Sequence, residues 1–217
     1  AVVGQYAPGS TFKMMVALAA LGKGAITPQT RVFCTGEIEL GDSKFHCWKR
    51  GGHGTMNMTN ALEQSCDVYF YRLGLELGID RIAAVARRLG LGEPTGIELA
   101  NEKSGLGPSR EWKRRNRNAS WQKGETVLAS IGQGFNLVTP IQLARAIGII
   151  ATGRSPRLHL LKGESQQGST AGLELISPVF APENLQTIRD AMWSVVASVI
   201  VSLPLVMIGS HSTSCAT

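Results

Sequence analysis

Hydrophobic residues recur every three or four positions in five segments of the chain, and this spacing predicts helices. The first predicted helix, residues 10–23, follows the chain-breaking Pro8-Gly9 pair. The other predicted helices are residues 59–77 with a break at 65–67, residues 79–89, residues 140–150 and residues 182–196. Most of the apolar surface is therefore expected to lie on helices.

The pattern changes between these helices. Residues 25–54 are rich in glycine and threonine with short alternating stretches, so loops and short strands are expected there. Residues 91–133 are interrupted by glycine, proline and charged residues and are predicted to be mostly irregular, and residues 163–172 form a polar linker. We detect no internal repeat. The combination predicts an α+β fold in which helices dominate.

The composition is that of a folded domain with a basic surface. Hydrophobic residues make up 43% of the chain and charged residues 18%, which is enough to bury a core. The net charge is +6, and basic residues concentrate between Arg110 and Lys123. A basic cluster can bind nucleic acid or an anionic membrane, but no helix-turn-helix, RNP or zinc-finger spacing accompanies this one. We interpret it as a solvated loop and expect no nucleic-acid partner.

Both ends of the chain favour a piece of a longer protein. No signal-peptide pattern precedes residues 6–10, which we expect to lie in the middle of a domain. Residues 191–209 are apolar and about as long as a membrane span of about 20 residues, but they contain serines and Pro204. We therefore expect residues 1–196 to be a partial domain. Residues 197–217 are expected to be an anomalous, frame-shifted tail, with a membrane span as the alternative.

Ser10 and Lys13 are the first candidate catalytic pair. One helical turn separates them, so the hydroxyl and the amine share a face of the predicted helix. A serine needs a nearby base to attack a carbonyl near neutral pH, and a desolvated lysine can serve as that base. The spacing is not specific by itself, because Ser120 and Lys123 have it too. Ser10 is favoured because it follows a turn and leads an apolar helix, whereas Ser120 lies in the basic stretch.

A second candidate segment, Ser65-Cys66-Asp67, lies where the helical pattern breaks. Its hydroxyl and carboxylate could converge on Ser10 and relay a proton to a leaving amine. On this segment alone the simpler interpretation is a helix cap, with Ser65 or Asp67 at the start of a helix that begins at Val68.

Several short motifs follow one another in order along the chain. They are residues 6–13 (Tyr-Ala-Pro-Gly-Ser-Thr-Phe-Lys), 52–54 (Gly-His-Gly), 65–70 (Ser-Cys-Asp-Val-Tyr-Phe), 131–134 (Ile-Gly-Gln-Gly) and 139–140 (Thr-Pro). In series they resemble the transpeptidase domain of class B penicillin-binding proteins, above all the elongation-specific penicillin-binding protein 2 group, from Gln5 to about residue 196. The resemblance implies the penicillin-binding/serine β-lactamase-like transpeptidase fold, here incomplete: the helical subdomain is largely present and the C-terminal strands of the sheet are missing.

The resemblance also implies a function, that of a peptidoglycan D,D-transpeptidase. Ser10 would attack the D-Ala-D-Ala end of a peptidoglycan stem peptide, and an amine from a neighbouring stem would resolve the acyl-enzyme. β-Lactams would acylate the same serine. Lys13 would be the base for Ser10, and Ser65 with Asp67 would form the family's second motif. For the full-length parent it implies a membrane glycosyltransferase as partner and a location on the periplasmic face of the bacterial inner membrane.

The family's third motif, Lys-Thr-Gly or Lys-Ser-Gly on a strand beside the site, follows the helix that corresponds to residues 182–196. No such motif follows that segment in this sequence. Lys103-Ser104-Gly105 has the letters but precedes residues 131–134, and we interpret it as a turn. We therefore expect that this chain does not complete the active site by itself, an expectation that penicillin labelling of Ser10 at full-length rates would refute.

Cys34, Cys47, His53 and Cys66 form a candidate metal site. Three thiolates and one imidazole are a closed set typical of structural zinc, although their spacing is not that of a zinc finger. The resemblance also implies zinc, since members of the penicillin-binding protein 2 group can carry a zinc ion in this region, with carboxylates at some positions where this chain has cysteine. A disulfide, which a periplasmic location would permit, and free thiols are the alternatives. His46 is a competing imidazole that we expect to point away.

Two further functional hypotheses stay open. Within the same superfamily, the chain could be a serine β-lactamase or a β-lactam sensor domain, which measurable β-lactam hydrolysis would favour. From another class, it could be a catalytically dead, zinc-containing binding module that keeps the fold and the metal without the chemistry.

Overall fold

The computed structural model describes residues 1–160, 173–175 and 180–202 of the 217-residue chain. Its helices are α1 (Lys13–Lys23), α2 (Met58–Glu63), α3 (Asp67–Leu77), α4 (Ile79–Arg88), α5 (Arg110–Arg117), α6 (Lys123–Ser130), α7 (Pro140–Thr152) and α8 (Pro182–Ser202). Its strands are β1 (Val32–Cys34), β2 (Glu37–Leu40), β3 (Ser43–His46), β4 (Gly54–Met56), β5 (Arg154–Pro156) and β6 (Leu173–Leu175). The predicted linker at 163–172 and residues 203–217 of the predicted tail lie outside the described residues.

Helix α1 lies at the centre of the hydrophobic core. Every residue from Met15 to Leu21 is buried, so this helix is surrounded on all sides, with α3, α4 and α8 against it. Its alanine, leucine and methionine residues are strong helix formers. Gly24 ends it in the left-handed conformation at φ +70°, where its N–H bonds the last turn. Lys13 is the first residue of this buried helix, and its side chain is buried with it.

Helix α3 packs against both α1 and α6. The approach of α6 is close because residue 74 is glycine: a Cβ there would come 2.6 Å from the Cβ of Ser130. The residues that follow α6 reach the turn in front of α1, where the Gly9 N–H donates to the Gly132 carbonyl at 3.0 Å. Packing of α3 and α6 therefore positions the loop at 131–134 beside Ser10.

The strands form three antiparallel pairs within the described residues: β1 with β4, β2 with β3, and β5 with β6. In the first pair Cys34 lies opposite Gly54, directly after His53. In the second, the hairpin register pairs Glu37 with His46. These short strands bring together the segment at 32–56 that holds three of the four candidate metal ligands.

The helices predicted from hydrophobic spacing are confirmed, including the break near residue 65. Residues 9–12 form a 3-10 turn before α1, so the predicted first helix is α-helical only from Lys13. Helix α8 extends to Ser202, beyond the predicted end at 196. The short strands expected within 25–54 are also present.

Residues 91–133 are mostly irregular, as predicted, but two short helices that the prediction missed, α5 and α6, lie there. Their signals are caps rather than apolar periodicity. The Ser109 side chain accepts the Trp112 N–H at the start of α5, and Gln122 and Glu125 form a capping box at the start of α6. Periodicity alone misses such short, polar helices.

The first part of the basic cluster, residues 110–117, is accordingly a helix, and residues 118–122 are a loop as predicted. Lys113, 8% exposed, is the buried residue of α5, and its amine bonds Glu125 Oε1 at 2.5 Å and the Ser120 carbonyl at 2.8 Å. The arginines of α5 are solvent-exposed, as predicted.

Helix α8 runs through the predicted boundary between the domain and the tail. Among the described residues no helix combines the length and the apolar character that a membrane crossing requires.

Candidate active site beside a thiol cluster

Ser10 lies in the 3-10 turn, with its side chain exposed at the surface. The turn begins at Gly9, whose φ of +58° favours glycine. Gly132 packs against this turn so closely that a Cβ on it would lie 2.2 Å from the Gly9 carbonyl oxygen. The glycine pair therefore fixes the backbone that presents the Ser10 hydroxyl.

Lys13 lies beneath the turn and is 1% exposed. Its amine bonds Asp67 Oδ1 at 2.6 Å, Ser65 Oγ at 2.9 Å and the Ser65 carbonyl at 2.9 Å. An ammonium group has three donors, and all three have acceptors here. A buried charge is tolerated only with such pairing, so the lysine is held in one position.

Ser65 connects this lysine to the surface serine. Its hydroxyl donates to Ser10 Oγ at 3.0 Å, across 55 residues of sequence. Ser65 has a φ of +52°, a left-handed conformation that costs a non-glycine residue about 1–2 kcal/mol. Such strain is often found at functional sites, where the surrounding structure holds it in place.

Asp67 is the buried counter-charge of the site, with its side chain 12% exposed. Oδ1 pairs with Lys13, and Oδ2 accepts the backbone N–H of Trp48 at 2.9 Å. The helix-cap interpretation of this segment is wrong: α3 begins at Asp67, Cys66 is its N-cap residue, and no side chain caps it. The strained break at Ser65 aims both side chains at Lys13 instead.

The structure thus brings the four candidate catalytic residues into one chain of hydrogen bonds, from Ser10 through Ser65 to Lys13 and Asp67. Ser10 and Lys13 are joined through the Ser65 hydroxyl. The arrangement can move a proton between a surface hydroxyl and a buried amine in two short steps.

The other serine–lysine pattern has no comparable surroundings. Ser120 is exposed, and its carbonyl accepts a bond from Lys113. Lys103 to Gly105 lies in an irregular segment and forms no strand. Ser120 meets the Lys113–Glu125 pair through its backbone carbonyl, whereas the hydroxyl of Ser10 is joined to the Lys13–Asp67 pair through the Ser65 hydroxyl.

Cys34, Cys47, His53 and Cys66 converge, and their ligand atoms all lie within 4.8 Å of one another. The three cysteines are buried free thiols. His53 Nδ1 lies 3.6 Å from Cys34 Sγ and 3.5 Å from Cys47 Sγ. His46 does not join them, because it pairs with Glu37 at 3.0 Å on the hairpin. These four residues could hold a metal ion.

The surroundings of the cluster affect the protonation of its side chains. Burial lowers the pKa of His53, and the charge of Lys49 lowers it further, which keeps the imidazole neutral as a ligand must be. Burial also raises the pKa of the Cys66 thiol. A thiolate there therefore needs a positive charge beside it, which a metal ion supplies.

Trp48 and Gly132 contribute to the site and were not identified as site residues from the sequence. Trp48 follows Cys47 and donates its indole N–H to the carbonyls of Gln64 at 3.0 Å and Ser65 at 3.1 Å. Nothing in the local pattern signals this contact across 17 residues. Gly132 lies within a motif that carried the resemblance, but its contact with Gly9 has no signature in spacing.

Solved structures define the class of protein to which this fold belongs. A complex of penicillin-binding protein 2 and MreC from Helicobacter pylori has a TM-score of 0.81 and 36% identity, covering 89% of this chain and 36% of that chain. Pseudomonas aeruginosa penicillin-binding protein 2 in complex with WCK 5153 has a TM-score of 0.82 and 40% identity, covering 90% of this chain and 45% of that chain. The predicted transpeptidase fold is therefore confirmed.

A family profile described as "Penicillin binding protein transpeptidase domain" matches residues 1–200, and the chain belongs to this family. The peptidoglycan D,D-transpeptidase MrdA of Acinetobacter baumannii is 47% identical over 153 residues, 70% of this chain and 23% of that protein. The MrdA protein of Escherichia coli is 39% identical over 171 residues, 77% of this chain and 27% of that protein. The chain thus spans 23% to 27% of the length of these curated relatives.

Proposed function

We propose that the protein containing this chain is a peptidoglycan D,D-transpeptidase with Ser10 as its nucleophile. The observation that carries the proposal is the hydrogen-bonded path from Ser10 through Ser65 to the buried Lys13–Asp67 pair. The relatives named peptidoglycan D,D-transpeptidase support the choice of substrate, a stem peptide ending in D-Ala-D-Ala. No observation favours a β-lactamase, a sensor or an inactive binding module.

The ammonium arrangement described above is the resting form, and acylation begins once Lys13 has given one proton to solvent and both hydroxyls have turned, so that Ser10 donates to Ser65 and Ser65 donates to the lysine nitrogen. Two of its N–H bonds remain on Asp67 Oδ1 and the Ser65 carbonyl, and its lone pair accepts the Ser65 hydroxyl, at the distances found here. As Ser10 Oγ attacks the penultimate carbonyl, its proton passes to Ser65 Oγ, and the Ser65 proton passes to Lys13. The Asp67 carboxylate stabilises the ammonium that forms.

Collapse of the tetrahedral intermediate breaks the peptide bond and releases D-Ala. Its nitrogen takes the proton back from Lys13 through Ser65, so the acyl-enzyme forms with no net change in protons. The amine of a neighbouring stem peptide then attacks the ester, and the same path takes its proton and returns it to Ser10. A β-lactam follows the first half of this sequence, and its opened ring stays on Ser10.

A fluorescent penicillin tests the proposal. After prolonged incubation we expect one penicilloyl group per chain, located by peptide mass spectrometry on Ser10 and not on Ser120. Ser120 is the internal control, since it has the same spacing to a lysine but contacts the Lys113–Glu125 pair through its backbone carbonyl and not through its hydroxyl. An adduct spread over both serines, or none on Ser10, would contradict the assignment.

The partners and location that we propose concern the whole protein. A Helicobacter pylori relative has been solved with MreC, and another solved relative belongs to a peptidoglycan synthase complex that coordinates polymerization and crosslinking. We infer that this protein likewise works with a membrane glycosyltransferase, on the periplasmic face of the inner membrane where stem peptides are found.

We further propose that Cys34, Cys47, His53 and Cys66 bind zinc. In a tetrahedral zinc site with bonds of about 2.1 Å to nitrogen and 2.3 Å to sulfur, nitrogen and sulfur ligands lie about 3.6 Å apart. The separations of His53 Nδ1 from Cys34 Sγ and Cys47 Sγ, 3.6 and 3.5 Å, fit that geometry. Four protein ligands leave no open position, so the zinc would be structural and would hold Cys66 beside the second motif.

Replacement of ligands tests the zinc proposal. We expect about one zinc per chain in the wild type by inductively coupled plasma mass spectrometry. In His53→Ala we expect zinc affinity to fall by more than about 100-fold, which exceeds the loss caused by removing a residue that contacts a ligand but not the metal. His46→Ala is the matched control, since His46 pairs with Glu37 outside the cluster. Equal zinc content in the two variants would refute the ligand set.

A further inference from the structure

The Trp48 side chain is 63% exposed, yet its two N–H groups are both directed into the active site. The indole N–H bonds the carbonyls of Gln64 and Ser65, and the backbone N–H bonds Asp67 Oδ2. An exposed tryptophan with this set of bonds gains little from burial of its ring. Its contacts are instead concentrated on the segment that carries the second motif.

The Trp48 indole bonds the backbone of Ser65, the strained residue of the second motif. Ser65 has a left-handed φ of +52°, and in this conformation its hydroxyl and carbonyl both accept bonds from Lys13. The Ser65 carbonyl accepts one bond from Lys13 at 2.9 Å and a second from Trp48 at 3.1 Å. Both lone pairs of that oxygen are therefore used, which holds the peptide in its strained orientation.

The backbone bond holds the other half of the pair. Asp67 uses Oδ1 for Lys13 and Oδ2 for the Trp48 N–H, so the carboxylate cannot rotate without breaking one of them. Of the three bonds from Trp48, the two to Ser65 and Asp67 thus end on groups that contact the lysine. Neither bond reaches Ser10 itself.

We propose that Trp48 is a positioning residue for acylation, which holds the Ser65 backbone and the Asp67 carboxylate in the geometry that joins Ser10 to Lys13. The proposal rests on the proposed function, because its effect is expressed in the rate at which Ser10 is acylated. Misplacement of reacting groups by about 1 Å can slow a reaction on the order of 100-fold. Loss of the bond to Ser65 is therefore expected to lower the acylation rate measurably.

A second contact of the ring offers a purely structural role. The Trp48 ring lies edge-on to the His53 ring with centroids 5.3 Å apart, so the side chain could act by supporting the thiol cluster. The two roles predict different outcomes when the N–H is removed and the shape of the ring is kept.

The experiment therefore compares three replacements with the wild type. Trp48→Phe removes the N–H and shortens the ring, and benzothienylalanine at position 48 removes the N–H but keeps the shape. Trp193→Phe is the control, since Trp193 on α8 is 70% exposed. Labelling by a fluorescent penicillin over a range of concentrations separates initial affinity from the acylation rate constant, and zinc content is measured in parallel.

We expect the rate constant to fall by roughly 10- to 100-fold in both position-48 variants, with initial affinity within about twofold of the wild type. Zinc content should not change with benzothienylalanine, and Trp193→Phe should behave as the wild type. An unchanged rate constant with benzothienylalanine would overturn the proposal. So would a parallel loss of zinc in that variant, because the ring would then act through His53.

A failure of the proposed function would give a different result, no adduct on Ser10 in the wild type. The hydrogen bond from the Trp48 indole to the Ser65 carbonyl is then tested without acylation, by measuring hydrogen exchange of the indole N–H groups with nuclear magnetic resonance. Slower exchange at Trp48 than at the similarly exposed Trp193 supports the proposal that Trp48 holds the Ser65 backbone, and equal exchange overturns it.

Discussion

Lys13→Met is expected to abolish measurable acylation of Ser10 and to lower the free energy of unfolding by about 3–5 kcal/mol, the usual cost of breaking a buried ion pair from one side. Methionine fills a similar volume but leaves Asp67 without the partner it has at 2.6 Å. The Lys13 side chain is 1% exposed and that of Asp67 12%, so water does not replace the lost contact. Urea denaturation and fluorescent-penicillin labelling measure the two effects.

The chain contains a matched control for this substitution. Lys113 pairs with Glu125 at 2.5 Å, with side chains 10% and 22% exposed, in a second lysine–carboxylate pair between α5 and α6. Lys113→Met should destabilise the protein in the same way and leave the acylation of the folded molecules intact. Ser10→Ala should do the reverse, losing acylation at nearly unchanged stability. Substantial acylation in folded Lys13→Met would refute the role of Lys13.

Gly132→Ala is expected to slow acylation on the order of 100-fold, because it moves the turn that presents Ser10. The added Cβ would lie 2.2 Å from the Gly9 carbonyl oxygen and 2.8 Å from the Phe12 Cβ. Both neighbours belong to the 3-10 turn, so either that turn or the loop at 131–134 must shift. The rate constant of penicillin acylation reports the shift directly.

Gly134→Ala is the control that separates the steric clash of an added Cβ with the Ser10 turn from the backbone strain of alanine at a positive φ. Gly132 and Gly134 have φ values of +71° and +69°, so alanine costs about 1–2 kcal/mol of strain at either position. At Gly134, however, the nearest atom to an added Cβ is the Leu128 Cβ at an ordinary 3.5 Å. Both variants should lose thermal stability, and only Gly132→Ala should lose acylation rate. Equal rates in the two variants would show that the contact with Gly9 does not set the position of Ser10.

The sequence predicts the parts of this site that repeat a short pattern. A helical turn separates Ser10 from Lys13, and the break at Ser65 interrupts a long helical period, so both were found from spacing. The cysteines and His53 were grouped by ligand chemistry, and the short strand pair β1–β4 explains their convergence. The order of the motifs then pointed to the family.

What the sequence could not predict depends on bonds between distant backbone atoms. The Trp48 indole meets carbonyls 16 and 17 residues away, and any residue supplies a carbonyl, so no residue type marks the partner. The relay through Ser65 depends on a left-handed φ at a non-glycine residue, which propensity disfavours. Helices α5 and α6 were missed because each has only eight residues: α5 buries Lys113 and no apolar residue, and the buried Val127 and Ala129 of α6 are too few to show a period.

The hydrogen bonds that reach Ser10 and Lys13 from the second motif span 52 to 55 residues of sequence. In an unfolded or half-made chain these groups are far apart, and Ser10 is then an ordinary alcohol with no reactivity toward a strained amide. In the proposed function its chemistry exists only once α1 and α3 have docked. A penicillin would therefore label only chains that have reached the native state, and acylation would distinguish folded from unfolded molecules.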